Sequence, residues 1–404
     1  MMTGGWTESV TSADTADVSG VVPRASAAAP GLPPLEGTTV VSVEQAIAIP
    51  FASRQLADLG ATVLKVERPL TGDFARSYDR NVGGQSAFFV WANRGKHSIE
   101  LDIKGQRDRL EELISEADVY LHNLSPTAAR RLGLDAESVH ARHPKIVACE
   151  VSGYGRGGPR SDDTAYDLAV QAEAGVFDVC GDGDLRCKVG FSVADIAAGM
   201  YALSSVLACL ARRHRTGEGA VVSVSMLDAL AEWMSAPLLQ AQAVGSTSAR
   251  SARRHFAISP YGTFRLADSS EVLIAVQNDA EWRRFCAEVL EDARLADDAR
   301  FRSNADRIAR VDELEELVQG LLLSRGAGEV RKALSAASIA NARLNSLNDV
   351  WHHEQLRTRK RFVPTELPGG HLVETLHHPF DIDGARLERS WVPAVGEDRR
   401  EQRT

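Results

Sequence analysis

From Thr38 onward the chain alternates β-rich runs with helix-spaced runs, and this alternation limits the possible fold more than any other feature. Thr39-Val40-Val41-Ser42-Val43 reads as a strand, Pro50 to Leu59 carries helical spacing closed by Gly60, and Thr62-Val63-Leu64-Lys65-Val66-Glu67 is a second strand. A further cycle follows, with a helix from Gly105 to Glu116, a strand from Asp118 to Leu121, a helix from Ala128 to Arg142 and a strand from Lys145 to Glu150. Consecutive units of this kind build a parallel sheet covered by helices on both faces. The sequence therefore predicts an α/β fold with a doubly wound, Rossmann-like large domain.

With 404 residues the chain exceeds one typical domain. Residues 1–37, rich in Ala, Ser, Thr, Gly, Asp and Pro without hydrophobic period, read as a disordered extension. The large domain is placed at 38–224 and a linker helix and loop at 225–255, with small residues from Gly245 to Ala252. At 256–338 the pattern changes to that of a smaller α+β domain: strands at Tyr261 to Phe264 and Val272 to Val276, helices at Trp282 to Leu290, Val311 to Leu323 and Val330 to Ala337. A C-terminal segment fills 339–404.

Composition narrows the function. A net charge of −9 argues against nucleic acid as the main partner. Five cysteines without a CxxC pair indicate neither a disulfide framework nor a zinc cage, and no metal site is predicted. The sequence offers no signal peptide and no run of about 18 apolar residues, so no membrane partner is expected and the cytoplasm is the expected location. No GxGxxG follows the first strand, which disfavours a dinucleotide, and Gly153-Tyr154-Gly155-Arg156-Gly157-Gly158-Pro159 lacks the Lys-Ser/Thr end of a P-loop. Ligands of such sheets lie at the carboxyl ends of the strands. Here the candidate loops are Gln45 to Pro50, Arg68 to Gly72, Asn123 to Thr127 and Ser152 to Pro159.

One carboxylate stands apart. Asp195 opens a long apolar helix running to about Arg213, in the run Phe191-Ser192-Val193-Ala194-Asp195-Ile196-Ala197-Ala198-Gly199-Met200. From this run alone it reads first as an N-cap and second as a nucleophile beside unpaired backbone N–H groups.

Several ordered motifs settle that choice by resemblance. Leu56-Ala57-Asp58-Leu59-Gly60-Ala61, Lys65-Val66-Glu67-Arg68-Pro69, Asn93-Arg94-Gly95-Lys96, Leu101-Asp102-Ile103-Lys104 and Arg131-Leu132-Gly133 resemble the class III CoA-transferase family. Ser152-Gly153-Tyr154-Gly155, Ala165-Tyr166-Asp167, Ala194-Asp195 with Gly199, and Arg215-Thr216-Gly217-Glu218-Gly219 continue the match, which spans residues 38 to 397. Gly72-Asp73-Phe74-Ala75-Arg76, Ser225 to Met234 and Ala340 to Ser346 are closest to the succinyl-CoA:dicarboxylate branch, itaconate CoA-transferases in particular.

The resemblance implies that Asp195 is the nucleophile, passing through a mixed anhydride to an aspartyl-CoA thioester, with Asp167 assisting or orienting the acyl group or capping a helix. An ordinary aspartate is ionised near pH 7, and backbone N–H groups at the start of its helix would receive the oxyanion. It also implies that Arg68, Lys104 and Arg131 meet the phosphates of CoA, that Leu101, Asn123 and Leu124 shape the nucleotide pocket, that Ile47 and Ala48 line the thioester channel, and that Tyr166 borders the bound CoA. Ile47 stands where the formyl-CoA branch has Gln, and Thr164 where a Lys is possible. Related acyl-CoA racemases have His at the place of Tyr166, and a Tyr of ordinary pKa near 10 is a poor base, so transfer is preferred to racemisation. A non-catalytic acidic scaffold is the rival of another class.

The implied substrates are acyl-CoA and a small carboxylic acid, with no tightly bound cofactor. Arg54, Arg76, Arg254 and His255 are conceivable partners for a distal carboxylate. The implied assembly is a homodimer of interlocked rings in which the segment 339–404 returns to the large domain.

Overall fold

The computed structural model describes residues 31–245, 250–382 and 390–398. Residues 1–30 of the predicted extension and 246–249 of the predicted linker lie outside them. Six parallel strands form the central sheet: β1 (Thr39–Val43), β2 (Thr62–Glu67), β3 (His97–Glu100), β4 (Val119–His122), β5 (Val147–Ser152) and β6 (Ala220–Ser225). Their order is β3-β2-β1-β4-β5-β6, the doubly wound arrangement, with the topological switch between β1 and β4.

Alternation along each strand feeds two cores. Val40, Val63, Val119, Leu121, Val147 and Cys149 pack against one helical layer, while Val41, Val43, Leu64, Val66, Tyr120 and Ala148 join the other core with Leu110, Ile114 and Val139. Both faces are covered, which is why the strands read as nearly continuous apolar runs.

The first layer holds α1 (Ala48–Asp58) and the 24-residue Asp195 helix Val193–Thr216. The latter is long and apolar enough to cross a membrane by length and composition, but Ala194, Ala197, Ala198, Ala202 and Val206 are all fully buried in the α1-and-sheet core. It is a core helix.

Three local expectations change. The helix predicted from Ala128 to Arg142 is two, α2 (Pro126–Leu132) and a second at Ala136–Arg142, because Gly133 takes a left-handed φ of 58° and closes the first. Trp282 to Leu290 divides into a helix at Asp279–Arg284 and a π-turn at Phe285–Val289. The edge strand β3, His-Ser-Ile-Glu, carries too little apolar pattern to be read from sequence. Two further helices used below are α3 (Asp167–Glu173) and α4 (Val193–Thr216).

The smaller region has its own core around Trp282, Phe285, Phe301, Leu314, Val318 and Leu322. Its antiparallel sheet contains β7 (Tyr261–Arg265), β8 (Glu271–Ala275) and β9 (Ala340–Arg343). After a hairpin of β10 (Phe362–Glu366) and β11 (Leu372–Leu376), the chain lies against the β3 edge. There the Gly95 N–H donates to the Trp391 carbonyl (2.7 Å), the Trp391 indole to the Lys96 carbonyl (2.9 Å), and the Ser98 N–H to the Glu397 carbonyl (3.1 Å). Covering this edge removes a row of open backbone groups.

Candidate active site

At the switch point the loops after β1 and β4 are tied together. The Gln45 N–H donates to Asn123 Oδ1 (3.0 Å) and Asn123 Nδ2 donates back to the Gln45 carbonyl (2.8 Å). The side-chain amide of Asn123 is thus occupied in holding the β1 loop. The next residue, Ala46, has a left-handed φ of 60°, and its N–H donates to Asp73 Oδ1 (3.1 Å). After this turn α1 begins with Ile47 as N-cap and no side-chain cap. The N–H groups of Ile47, Ala48 and Ile49 have no acceptor among the described residues, as a helix start without a cap leaves them.

Across from this start lies the start of α4. Asp195, half-buried in its first turn, lines a cavity of about 420 Å³ together with Ile47, Ala48, Asn123, Tyr166 and Asp167. Asp167 Oδ1 accepts the N–H groups of Ala194 (2.8 Å) and Asp195 (3.4 Å), while its Oδ2 accepts Gln171 Nε2 (2.7 Å). Val193 and Ile196 donate to the carbonyls of Phe191 and Ser192. The expectation that the α4 start receives an oxyanion is therefore corrected, since Asp167 and local carbonyls already satisfy its donors. Among the described residues the N–H groups of Ile47 and Ala48, which line the cavity, keep no acceptor, as do those of Asp167 and Leu168 at the uncapped start of α3.

The same arrangement changes the acidity of Asp195. Burial, and then the neighbouring Asp167 carboxylate, push it up to about 7, above the ordinary range assumed from sequence. Tyr78, on the wall of the same cavity, is pushed up to about 12 by burial and by Asp73, Asp195 and Tyr166, so its phenol stays a hydrogen-bond donor. Sequence reasoning did not single out Tyr78.

A second cavity, of about 290 Å³, is lined by Arg68, Leu101, Lys104 and Leu124. Gln45 and Leu124 border both cavities, so the two adjoin. Arg131 lines neither and is exposed near the end of α2. Thr164 is exposed on the wall of the Asp195 cavity.

Among the described residues no Lys or Arg side chain lines the Asp195 cavity, whose charged groups are Asp163, Asp167 and Asp195. Arg54 pairs with Asp58, Arg76 with Glu67, and Arg254 with Asp312 and Glu315, while His255 stacks on Tyr261. None of these four reaches the cavity wall. No group of three or more metal-ligating side chains is found among the described residues.

Behind the β1 loop lies a buried charge cluster. Lys65 Nζ meets Asp73 Oδ2 (2.8 Å) and Glu44 Oε1 (3.3 Å), and Lys96 Nζ meets Glu44 Oε1 (2.6 Å), all four side chains being fully or almost fully buried. Burial alone would raise Glu44, but Lys96 and Lys65 hold it down at about 2; for Lys65, Asp73 and Glu44 overcome burial and keep the ammonium charged, whereas for Lys96 burial outweighs the pull of Glu44 and lowers it to about 7. A lysine in the middle of a strand covered on both faces was the one sign of this cluster in the sequence.

The model of CoA-transferase family III matches residues 35–399. A succinate–glutarate CoA-transferase of Agrobacterium fabrum is 30% identical over 377 residues, 90% of this chain and 94% of its own. An acetyl-CoA:oxalate CoA-transferase of Acetobacter aceti is 33% identical over 310 residues, 76% of this chain and 79% of its own. Among solved structures, a CaiB/BaiF family protein from Brucella suis superposes with a TM-score of 0.77 at 29% identity, covering 91% of this chain and 97% of that one.

Proposed function

The chain belongs to CoA-transferase family III and is a CoA-transferase, and from that footing we propose that it moves CoA from succinyl-CoA to a short dicarboxylate, itaconate being the leading acceptor. The observation that carries the reading is Asp195, a carboxylate lining the same cavity as Ile47 and Ala48, whose N–H groups have no acceptor among the described residues.

In this mechanism an Asp195 carboxylate oxygen attacks the thioester carbonyl carbon. The C–S bond breaks, leaving a mixed anhydride and CoA thiolate. The thiolate then attacks the Asp195 carbonyl carbon and expels the donor carboxylate, which leaves an aspartyl-CoA thioester. The acceptor carboxylate repeats the two steps in reverse order and regenerates Asp195. Each addition puts negative charge on a carbonyl oxygen, and the Ile47 and Ala48 N–H groups are the donors we assign to it. The raised pKa of Asp195 fits the role, because a more basic carboxylate is a better nucleophile once ionised.

CoA enters as a substrate rather than a resident cofactor, its nucleotide end at Arg68 and Lys104. We read the assembly as an interlocked homodimer in the cytoplasm. A dicarboxylate brings a second anion, and a buried carboxylate without a partner costs about 1–3 kcal/mol or more. The acidic lining of the reaction cavity therefore gives a second subunit a task, the supply of the missing cation.

Initial rates with succinyl-CoA and itaconate, mesaconate, malate, glutarate, oxalate or butyrate test the proposal. Itaconate should be fastest and butyrate slowest. A preference for oxalate or butyrate, or deuterium entering the α-position of a 2-methylacyl-CoA without transfer, would overturn it.

A further inference from the structure

We propose that Asp73 is a positioning residue for transfer: by gripping Ala46 it fixes the direction of the free N–H groups of Ile47 and Ala48 beside Asp195. The inference rests on the reading that those groups receive the oxyanion.

Asp73 is 3% exposed and its carboxylate is fully engaged. Oδ1 accepts the N–H groups of Ala46 (3.1 Å) and Ala75 (2.9 Å), and Oδ2 accepts the Lys65 ammonium (2.8 Å). Asp73 is itself held, since its own N–H donates to Glu67 Oε1 (2.8 Å), and Glu67 is fixed by Arg76 and Ser98. The same cluster grips α1 a second time, through Lys96 Nζ on the Pro50 carbonyl (2.9 Å).

Ala46 needs this grip. A left-handed alanine suffers a contact between Cβ and the following carbonyl that glycine lacks, so it persists only where its surroundings hold it. Two clamps do so here, Asp73 on the Ala46 N–H and Asn123 on both backbone groups of Gln45. Release of the first lets Ala46 relax toward negative φ, which turns the following N–H groups away from the cavity. Asp73 also lines the adjoining nucleotide cavity with Arg68 and Lys104, but among the described residues it forms no ion pair with either cation, so the chemical step should suffer more than CoA binding.

Asparagine at position 73 separates this role from charge balance. Its single oxygen cannot serve both Lys65 and Ala46, and the buried ammonium makes the stronger claim, leaving an NH₂ group against the Ala46 N–H. In the full-length enzyme Asp73→Asn should lower kcat by about 10- to 100-fold while the KM for acyl-CoA stays within about threefold. Adding Ala46→Gly should restore kcat by at least about threefold, because glycine takes positive φ freely. A purely structural Asp73 would instead lower the melting temperature with kcat per folded enzyme unchanged and no recovery from the glycine.

If Asp73→Asn does not fold, Ala46→Val serves alone, since a β-branched residue resists positive φ and should reproduce the kcat loss. Unchanged kcat in the variant that folds, or a loss that Ala46→Gly fails to relieve, overturns the positioning role and leaves the transferase reading standing. Wild-type enzyme that moves no CoA overturns both.

Discussion

Asp195 is a half-buried acid close to a second carboxylate, and its behaviour with pH follows from that. Its pKa is pushed up to about 7, so kcat/KM for acyl-CoA should rise through about pH 7 as the nucleophile loses its proton. Asp167→Asn removes the like charge and should move this limb to lower pH, only part of the way because burial is the larger cause. A profile flat between about pH 6 and 8 would contradict the assignment. Stability carries the opposite sign. Raising the folded-state pKa from 3.8 to about 7 gives stabilisation that is full below the lower value and lost as pH rises through the higher one. Asp195→Asn, always neutral, should therefore melt above wild type at pH 8 and level with it near pH 4, as differential scanning calorimetry would read. At this scale the sequence conveyed residue type and motif but not partners. Asp167 and Asn123 were both singled out, yet neither the capping of a neighbouring helix by the first nor the clamping of Gln45 by the second is visible when the partners lie 27 and 78 positions away.

Two helix starts make the site, and one glycine sets their distance. Gly199 lies four residues after Asp195, on the same face of α4 and one turn further on. A Cβ there would sit 2.7 Å from the Ala48 carbonyl oxygen and 2.9 Å from Phe51 Cδ1. The carbonyl belongs to the first turn of α1, so the run from Asp195 to Gly199 carries both the proposed nucleophile and the gap that lets the start of α1 approach. Gly199→Ala should cost about 1–3 kcal/mol in chemical denaturation and reduce kcat more than it raises the KM for acyl-CoA. Lost stability with normal kcat would mean the helix spacing is not coupled to transfer. The long, strongly patterned elements were legible: α1, α4 and the apolar strands follow from periodicity because two-sided burial writes itself into composition. β3 was not, since an edge strand of four half-polar residues has no such pattern, and the break at Gly133 was hidden because a left-handed cap looks like one more tolerated glycine.

At the scale of the molecule, residues 39–225 build the sheet and residues 391–398 close its β3 edge. The Trp391 indole donates to the carbonyl of Lys96, whose ammonium reaches Glu44 and the Pro50 carbonyl. Arg94, two residues earlier, joins Asp58 to the Leu376 carbonyl. The closing segment is thus continuous with the charge cluster under α1. Trp391→Ala should lower stability by about 2–4 kcal/mol and open residues 391–398 to limited proteolysis; protection equal to wild type would show that the edge is held by other contacts. Little of this could be read along the sequence, because contacts made across some 300 residues leave no local period. What joins the scales is Asp195, set by its helix, sharing a cavity with the start of α1 and, in the function we propose, supplied with CoA from the adjoining cavity. The most direct test is to add succinyl-CoA and then hydroxylamine and map the modified peptides by mass. The account predicts a hydroxamate at Asp195 and loss of activity only when both reagents are present; full activity after that treatment, or adducts confined to other carboxylates, would contradict it.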